Sequence, residues 1–361
     1  MTFKLPEFTP PDFNQSFLKN APNCTTIEVI KDGVAPKNFH AMSIYPEYFK
    51  VDGKWLLPAQ SRMDCVPVVK NNTIIEIIEF RNLHVGDKVV VGRTEDASEG
   101  IYMYTKGFKS ENKINDTFAF RTGRSRETAF SKDYDQLYER LKHDRDNGHI
   151  VWVLGPAVIF DHDTRNALSS LVENGYVHAL MAGNAMATHD LEGGYLGTAL
   201  GQDIYTQASQ PNGHYNHLEL INEVRRSGSI ENFISEGKVK DGVIKKCVEK
   251  NIPIVLAGSI RDDGPLPPVY GNAYEAQDAM RAQTRKATTV ICLATTLHTI
   301  ATGNMTPSYT IVDNKIRPVY IYNVDIAEFA VNKLGDRGSL EVTTIVTNVQ
   351  DFMVHLKNNL I

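Results

Sequence analysis

From residue 150 onward the chain alternates short apolar runs with amphipathic stretches, a pattern that few folds accept. The runs cover 150–154, 177–182, 252–256, 289–294, 319–324 and 342–346. They are rich in β-branched residues and too short for ordinary helices, so each reads as a buried strand. Between and after them, Leu218, Ile221 and Val224, then Val243, Ile244, Cys247 and Val248, then Val349, Phe352, Met353 and Leu356 recur at helical spacing. Strands that alternate with helices form a parallel sheet, because a parallel connection needs a long crossover. The expectation is an α/β fold with a doubly wound parallel sheet over 151–361, of the Rossmann type that cradles a dinucleotide.

In such a sheet the chemistry sits just past the strands. The loops there are Gly155-Pro156-Ala157; Gly183-Asn184-Ala185; Gly258-Ser259 followed by Arg261, Asp262 and Asp263; Thr295-Thr296-Leu297-His298, running on to Gly303-Asn304-Met305; and Asp325. Small residues let phosphates approach backbone N–H groups at helix starts, so these loops are candidate cofactor contacts. Asp325 could bind a ribose diol or cap a helix. No GxGxxG is present, so the usual dinucleotide fingerprint is missing. Asp262 and Asp263 diverge if the segment is extended and need not share a role. The plainer reading is a solvated loop with a capping Asp.

The rest of the chain is of another kind. Residues 1–38 are Pro- and Asn-rich and read as irregular. Residues 39–117 read as β-rich, with turns at Asp52-Gly53, Asn71-Asn72 and Gly86-Asp87, in a small barrel or sandwich. Residues 118–150 connect the two parts. They hold a helix in which Ser131 is the N-cap, Tyr134, Leu137, Tyr138 and Leu141 form the stripe and Gly148 is the C-cap. Upstream, Arg121, Arg124 and Arg126 could clamp a carboxylate or phosphate, or belong to a solvated linker. Cys65 is a candidate nucleophile or substrate contact, although a lone cysteine beside apolar strands is usually packing. His189-Asp190 offers an acid/base or a metal ligand. His214 and His217 lack a third partner, so no metal is expected.

Composition narrows the class. The 361 residues carry a net charge of −5 without a basic block, which argues against nucleic acid. No apolar run approaches the length of a membrane span, and the first residues lack a signal-peptide core. The four cysteines are scattered, which fits a reducing cytoplasm.

The motifs 257–267, Ala182-Gly183-Asn184-Ala185, 293–305 and 333–339 closely resemble one family. Weaker matches begin near Phe39, at Tyr45-Pro46, 51–55, Met63-Asp64-Cys65 and 86–92. This is the lysine-oxoglutarate reductase/saccharopine dehydrogenase (LOR/SDH) conserved-domain family. It includes archaeal-type ornithine cyclodeaminases and the cyclodeaminase half of bifunctional arginine dihydrolases. The resemblance implies a sheet akin to deoxyhypusine synthase, bound NAD, and conversion of ornithine to proline plus ammonia, in proline biosynthesis and arginine catabolism. In that chemistry hydride leaves Cα, the distal amine closes on the imine, ammonia departs and the hydride returns. Arg261 or Arg121 would hold the α-carboxylate. Asp262 or Asp263 would orient or deprotonate the distal ammonium. Asn184 would fix the nicotinamide amide or the substrate. A homo-oligomer acting on a small amino acid is expected. The alternatives are a net amino-acid or opine-type dehydrogenase and a catalytically silent NAD-binding regulator. Two departures bear on the substrate. The family reads Phe-x-Phe-Met-Ser-Ser where this chain has Phe118-Ala119-Phe120-Arg121-Thr122-Gly123. It reads Gly-Pro-Ala-Val-Val-His-Thr-Gly where this chain has Phe160-Asp161-His162 after Gly155-Pro156-Ala157-Val158-Ile159.

Overall fold

The structure, a computed structural model, describes residues 3–108, 131–327 and 339–361. Arg121, Arg124, Arg126 and most of the 333–339 motif lie outside the described residues. The six apolar runs form one sheet, whose strands we number β1 (Ile150–Leu154), β2 (Ala179–Gly183), β3 (Ile254–Ala257), β4 (Thr289–Leu293), β5 (Tyr320–Asp325) and β6 (Glu341–Val346). All neighbours are parallel and the order is β3-β2-β1-β4-β5-β6. This is the dinucleotide-binding order: the chain winds outward from β1 to β3, returns to β1's other edge, and winds outward again.

Alternation along each strand supplies both faces. Trp152 and Leu154 join Leu168, Leu171, Phe233, Tyr322 and Phe352 in one core. Val151 and Val153 join Met181, Val290, Cys292 and Ile321 in the other. Each such side chain contributes about 1.5–3 kcal/mol on burial, so both faces must be covered. Among the described residues the helices doing this include Ser131–Asn147, His162–Glu173, Asn184–Leu196, Ala273–Thr284, Thr296–Met305 and Val349–Leu360. None is long and apolar enough to cross a membrane.

The preceding part is antiparallel. Thr25–Glu28, Lys88–Val91, Val66–Lys70 and Ile74–Ile78 form a four-stranded sheet in that order, and Lys54–Leu56, Glu47–Val51 and Ile101–Met103 a three-stranded one. Two of the three expected turns close hairpins, and the strand after Gly86-Asp87 pairs elsewhere in the sheet. Asp52 and Gly53 have φ of 47° and 77°, Asn71 and Asn72 of 51° and 54°, the positive pairs that tight turns between twisted strands need. Residues 1–38, however, are not irregular throughout. Thr25–Glu28 pairs with Lys88–Val91 at the sheet edge, where a largely exposed strand shows no apolar alternation. Phe13 stacks 5.9 Å from Trp55, and Phe3 reaches Tyr320 in the parallel sheet.

The two parts are joined by buried polar contacts. A hairpin of Tyr309–Val312 and Lys315–Pro318, inserted before β5, carries Tyr309, whose hydroxyl donates to Pro58 O at 2.8 Å. Arg62 Nε donates to Asn304 O at 3.0 Å, and Glu79 is held between Arg62 and Arg281. Burial alone would raise the Glu79 carboxyl, but the two guanidinium groups outweigh it and hold it at about 2.

Candidate functional site

The strand order reverses between β1 and β4, and there the structure leaves no room for a side chain. Gly155 N donates to Leu293 O at 2.8 Å. A Cβ on Gly155 would overlap the carbonyl oxygen of Ala294, which itself sits at φ 49°. Beside this seam a cavity of about 110 Å³ is lined by Ala157, Ala294, Asp325, Asn348, Val349 and Gln350. The Asp325 carboxylate accepts from Ala327 N at 2.8 Å and also lines the cavity; the helix it was expected to cap lies outside the described residues. Asn348 caps the Val349–Leu360 helix through Gln350 N, and Gln350 Nε2 reaches Ala157 O at 3.1 Å. The positive end of that helix therefore faces the cavity. Sequence reasoning missed Asn348 and Gln350; the signal was an Asn directly before a helical stripe.

A second group gathers at the ends of β2, β3 and β4. The Cε1 of His298 lies 3.2 Å from where a Cβ on Gly183 would stand. Burial pushes the His298 imidazole below its usual range, and the neighbouring Asp262 charge opposes this. Asn184 Oδ1 accepts from Leu266 N at 3.0 Å and from Thr188 Oγ1 at 3.3 Å, pinning the 258–267 loop to the start of the Asn184–Leu196 helix. In that loop Asp262 Oδ2 accepts from Ser259 N at 2.8 Å, so Asp262 is a loop cap as well as a charge at the rim. Arg261 and Asp263 are exposed, as are Ala185 and Thr296. Ile260 and Leu297 are apolar and 107% and 72% exposed, which leaves the mouth of the crevice greasy.

Not all candidates join this site. Gly303, Asn304 and Met305 close the far end of the Thr296–Met305 helix, which ten residues carry roughly 15 Å from its start. Met305 O accepts from Thr284, and Asn304 O from Arg62. That end of the run sits at the junction with the β-rich part. Cys65 is wholly buried in the β-rich core, and burial pushes its thiol up to about 11. A thiol needs exposure and a lowered pKa to react, and Cys65 has neither. His189 and Asp190 separate. Asp190 is buried against Arg165 and accepts from Ile244 N, a structural anchor. His189 turns instead to Glu192. Among the described residues no cluster of three or more His, Cys, Asp or Glu is placed to hold a metal.

Residues 135–356 match the family model described as arginine dihydrolase ArgZ-like, C-terminal, Rossmann fold. The ornithine cyclodeaminase of Methanocaldococcus jannaschii is 38% identical over 341 residues, which is 91% of this chain and 76% of that protein. A conserved putative LOR/SDH protein from Methanococcus maripaludis S2 superposes with a TM-score of 0.85 at 34% identity, over 94% of this chain and 98% of that one. The ternary complex of AgrE with ornithine and NAD+ superposes with a TM-score of 0.59 at 34% identity, and this chain spans only 46% of that longer protein. Strand order, crevice and these matches agree, and the chain belongs to the family of ornithine cyclodeaminases and ArgZ-like C-terminal Rossmann domains.

Proposed function

We propose that the chain is an NAD-dependent ornithine cyclodeaminase that converts L-ornithine to L-proline and ammonia. The observation that carries this reading is the β1–β4 reversal of strand order, beside which Ala157, Ala294 and Asp325 line a cavity. The lining is compatible with NAD: Ala157, after Gly155 and Pro156, would offer its backbone N–H to the pyrophosphate, and Asp325 would offer a carboxylate to a ribose. Gly183, Asn184, Ala185, Gly258, Ser259, Thr295, Thr296, Leu297 and His298 would line the rest. When bound, NAD would supply reversible hydride removal at the substrate Cα. Arg261 would grip the α-carboxylate. Asp262 or Asp263 would orient the distal ammonium, and Asn184 would hold the 258–267 loop in register with both. The relative crystallised with ornithine and NAD+ supports the choice of substrate and cofactor. The exposed Leu200, Tyr205, Tyr215 and Leu218 support a homo-oligomer, which light scattering would test.

Purified protein given L-ornithine and a trace of NAD+ should form proline and ammonia in equal amounts without net NADH. Stoichiometric NADH would instead make it a dehydrogenase. Tight NAD binding without turnover of any diamino acid would make it a regulator.

A further inference from the structure

Ala185, His189 and Glu192 stand at i, i+4 and i+7 on the Asn184–Leu196 helix, so they descend one face from the rim of the site. Ala185 is exposed, His189 is 6% exposed and Glu192 is wholly buried. Burying a carboxylate is costly unless its oxygens are satisfied, and here they are. Oε1 accepts from Thr198 Oγ1 at 2.7 Å and from Gly201 N at 3.0 Å. Oε2 lies 2.8 Å from His189 Nδ1. Leu200 N also approaches Nδ1, at 3.4 Å. The shorter contact, to a carboxylate, fixes the tautomer: Nδ1 carries the proton and Nε2 the lone pair. Among the described residues no hydrogen bond reaches Nε2, and it is not one of the fully buried side-chain atoms left without a partner, so it is open to a small molecule. The ring lies between Phe160 and His217, at centroid distances of 5.8 and 6.0 Å.

We propose that His189, oriented by Glu192, is the proton-transfer residue of the cyclisation. This rests on the cyclodeaminase reading above, in which bound NAD serves the paired oxidation and reduction at Cα. Nε2 takes a proton from the distal ammonium, freeing its electron pair to form the new N–Cα bond. The same nitrogen delivers a proton to the α-nitrogen as the old Cα–N bond breaks and its pair leaves with ammonia. Across the cycle the ornithine cation becomes zwitterionic proline plus ammonium, so no proton is gained or lost and the imidazole ends as it began. Glu192 is a positioning residue: it touches only the ring and its own supports.

Two measurements test this. In His189→Gln, kcat/KM for ornithine should fall about a hundredfold or more, while NAD affinity by calorimetry stays within about threefold. In the wild-type protein, an imidazole lone pair attacks a carbonyl carbon of diethyl pyrocarbonate and expels ethyl carbonate, and the carbethoxy adduct is read peptide by peptide in a mass spectrometer. His189 should react in the free protein and be protected by L-ornithine with NAD+, a result that does not depend on the variant folding. If the wild type makes proline and His189→Gln does so within threefold, the proposal fails and the cyclodeaminase reading stands. An unreactive His189, or one that ornithine leaves unprotected, also overturns it. If the wild type makes no proline, both readings fall together.

Discussion

Replacing Gly155 with Ala tests whether the β1–β4 seam is as tight as the structure has it. The new Cβ would overlap the Ala294 carbonyl oxygen and stand 2.7 Å from its carbon. Ordinary carbon contacts lie near 3.5–4.0 Å, so the two loops must part by roughly 1 Å. That movement stretches the Gly155 N to Leu293 O bond, now 2.8 Å. Overpacking of this kind costs about 1–3 kcal/mol, and an impaired buried hydrogen bond about 1 kcal/mol. A loss of about 2–4 kcal/mol in unfolding free energy is expected from urea titrations followed by circular dichroism. NAD affinity should fall as well, because the same loop would cradle the pyrophosphate. Gly271→Ala is the control, since nothing lies within 4 Å of a Cβ placed there. A Gly155→Ala protein within about 0.5 kcal/mol of the control, with unchanged NAD affinity, would refute the reasoning.

Asp262→Asn and Asp263→Asn should both fold and keep NAD affinity within a few-fold, and at least one should lose turnover about a hundredfold; Arg261→Lys should mainly raise KM. Steady-state kinetics with ornithine decides this, and two fully active Asp variants would leave the pair as loop caps. Glu79→Gln leaves Arg62 and Arg281 facing each other across a neutral group, and thermal unfolding should show a loss of about 3–5 kcal/mol. Glu79 ionises at about 2 in the fold against 4.5 in the reference state, so its contribution is present above 4.5 and is lost as pH falls towards 2. Burial first, then the charges of His178 and Lys286, holds His149 at about 4 instead of 6.5. The unfolded chain binds that proton first, so stability should decline as pH falls from 6.5 towards 4. In His149→Gln the urea midpoint should drop less between pH 7 and 4.5 than in the wild type; an identical drop would refute this.

Much was legible in the sequence because the physics behind it is local. A strand buried on both faces must be apolar throughout, so the inner strands of the parallel sheet stood out, and the half-exposed edge strand β6 by its β-branched residues, all within two residues of their observed ends. The turns at Asp52-Gly53 and Asn71-Asn72 were legible because few residues tolerate positive φ. The resemblance of the strand-end loops carried the family. The edge strand Thr25–Glu28 and the hairpin Tyr309–Val312/Lys315–Pro318 were not legible: one is largely exposed, and the other interrupts the β–α rhythm with no period of its own.

The site divides along the same line. The sequence alone determined that small residues and charges follow the strands, since an apolar run ending in Gly, Ser or Asp has that consequence in any parallel sheet. Only the tertiary structure decided which strands are neighbours, and therefore that Gly155 meets Ala294 across the reversal while Asn304 is carried to the far end of its helix. It also parted His189 from Asp190. One residue of helix turns a side chain by about 100°, so Asp190 went to Arg165 and His189 to Glu192. Adjacency along the chain says nothing of which neighbour a side chain will meet; packing of the helix against its surroundings does.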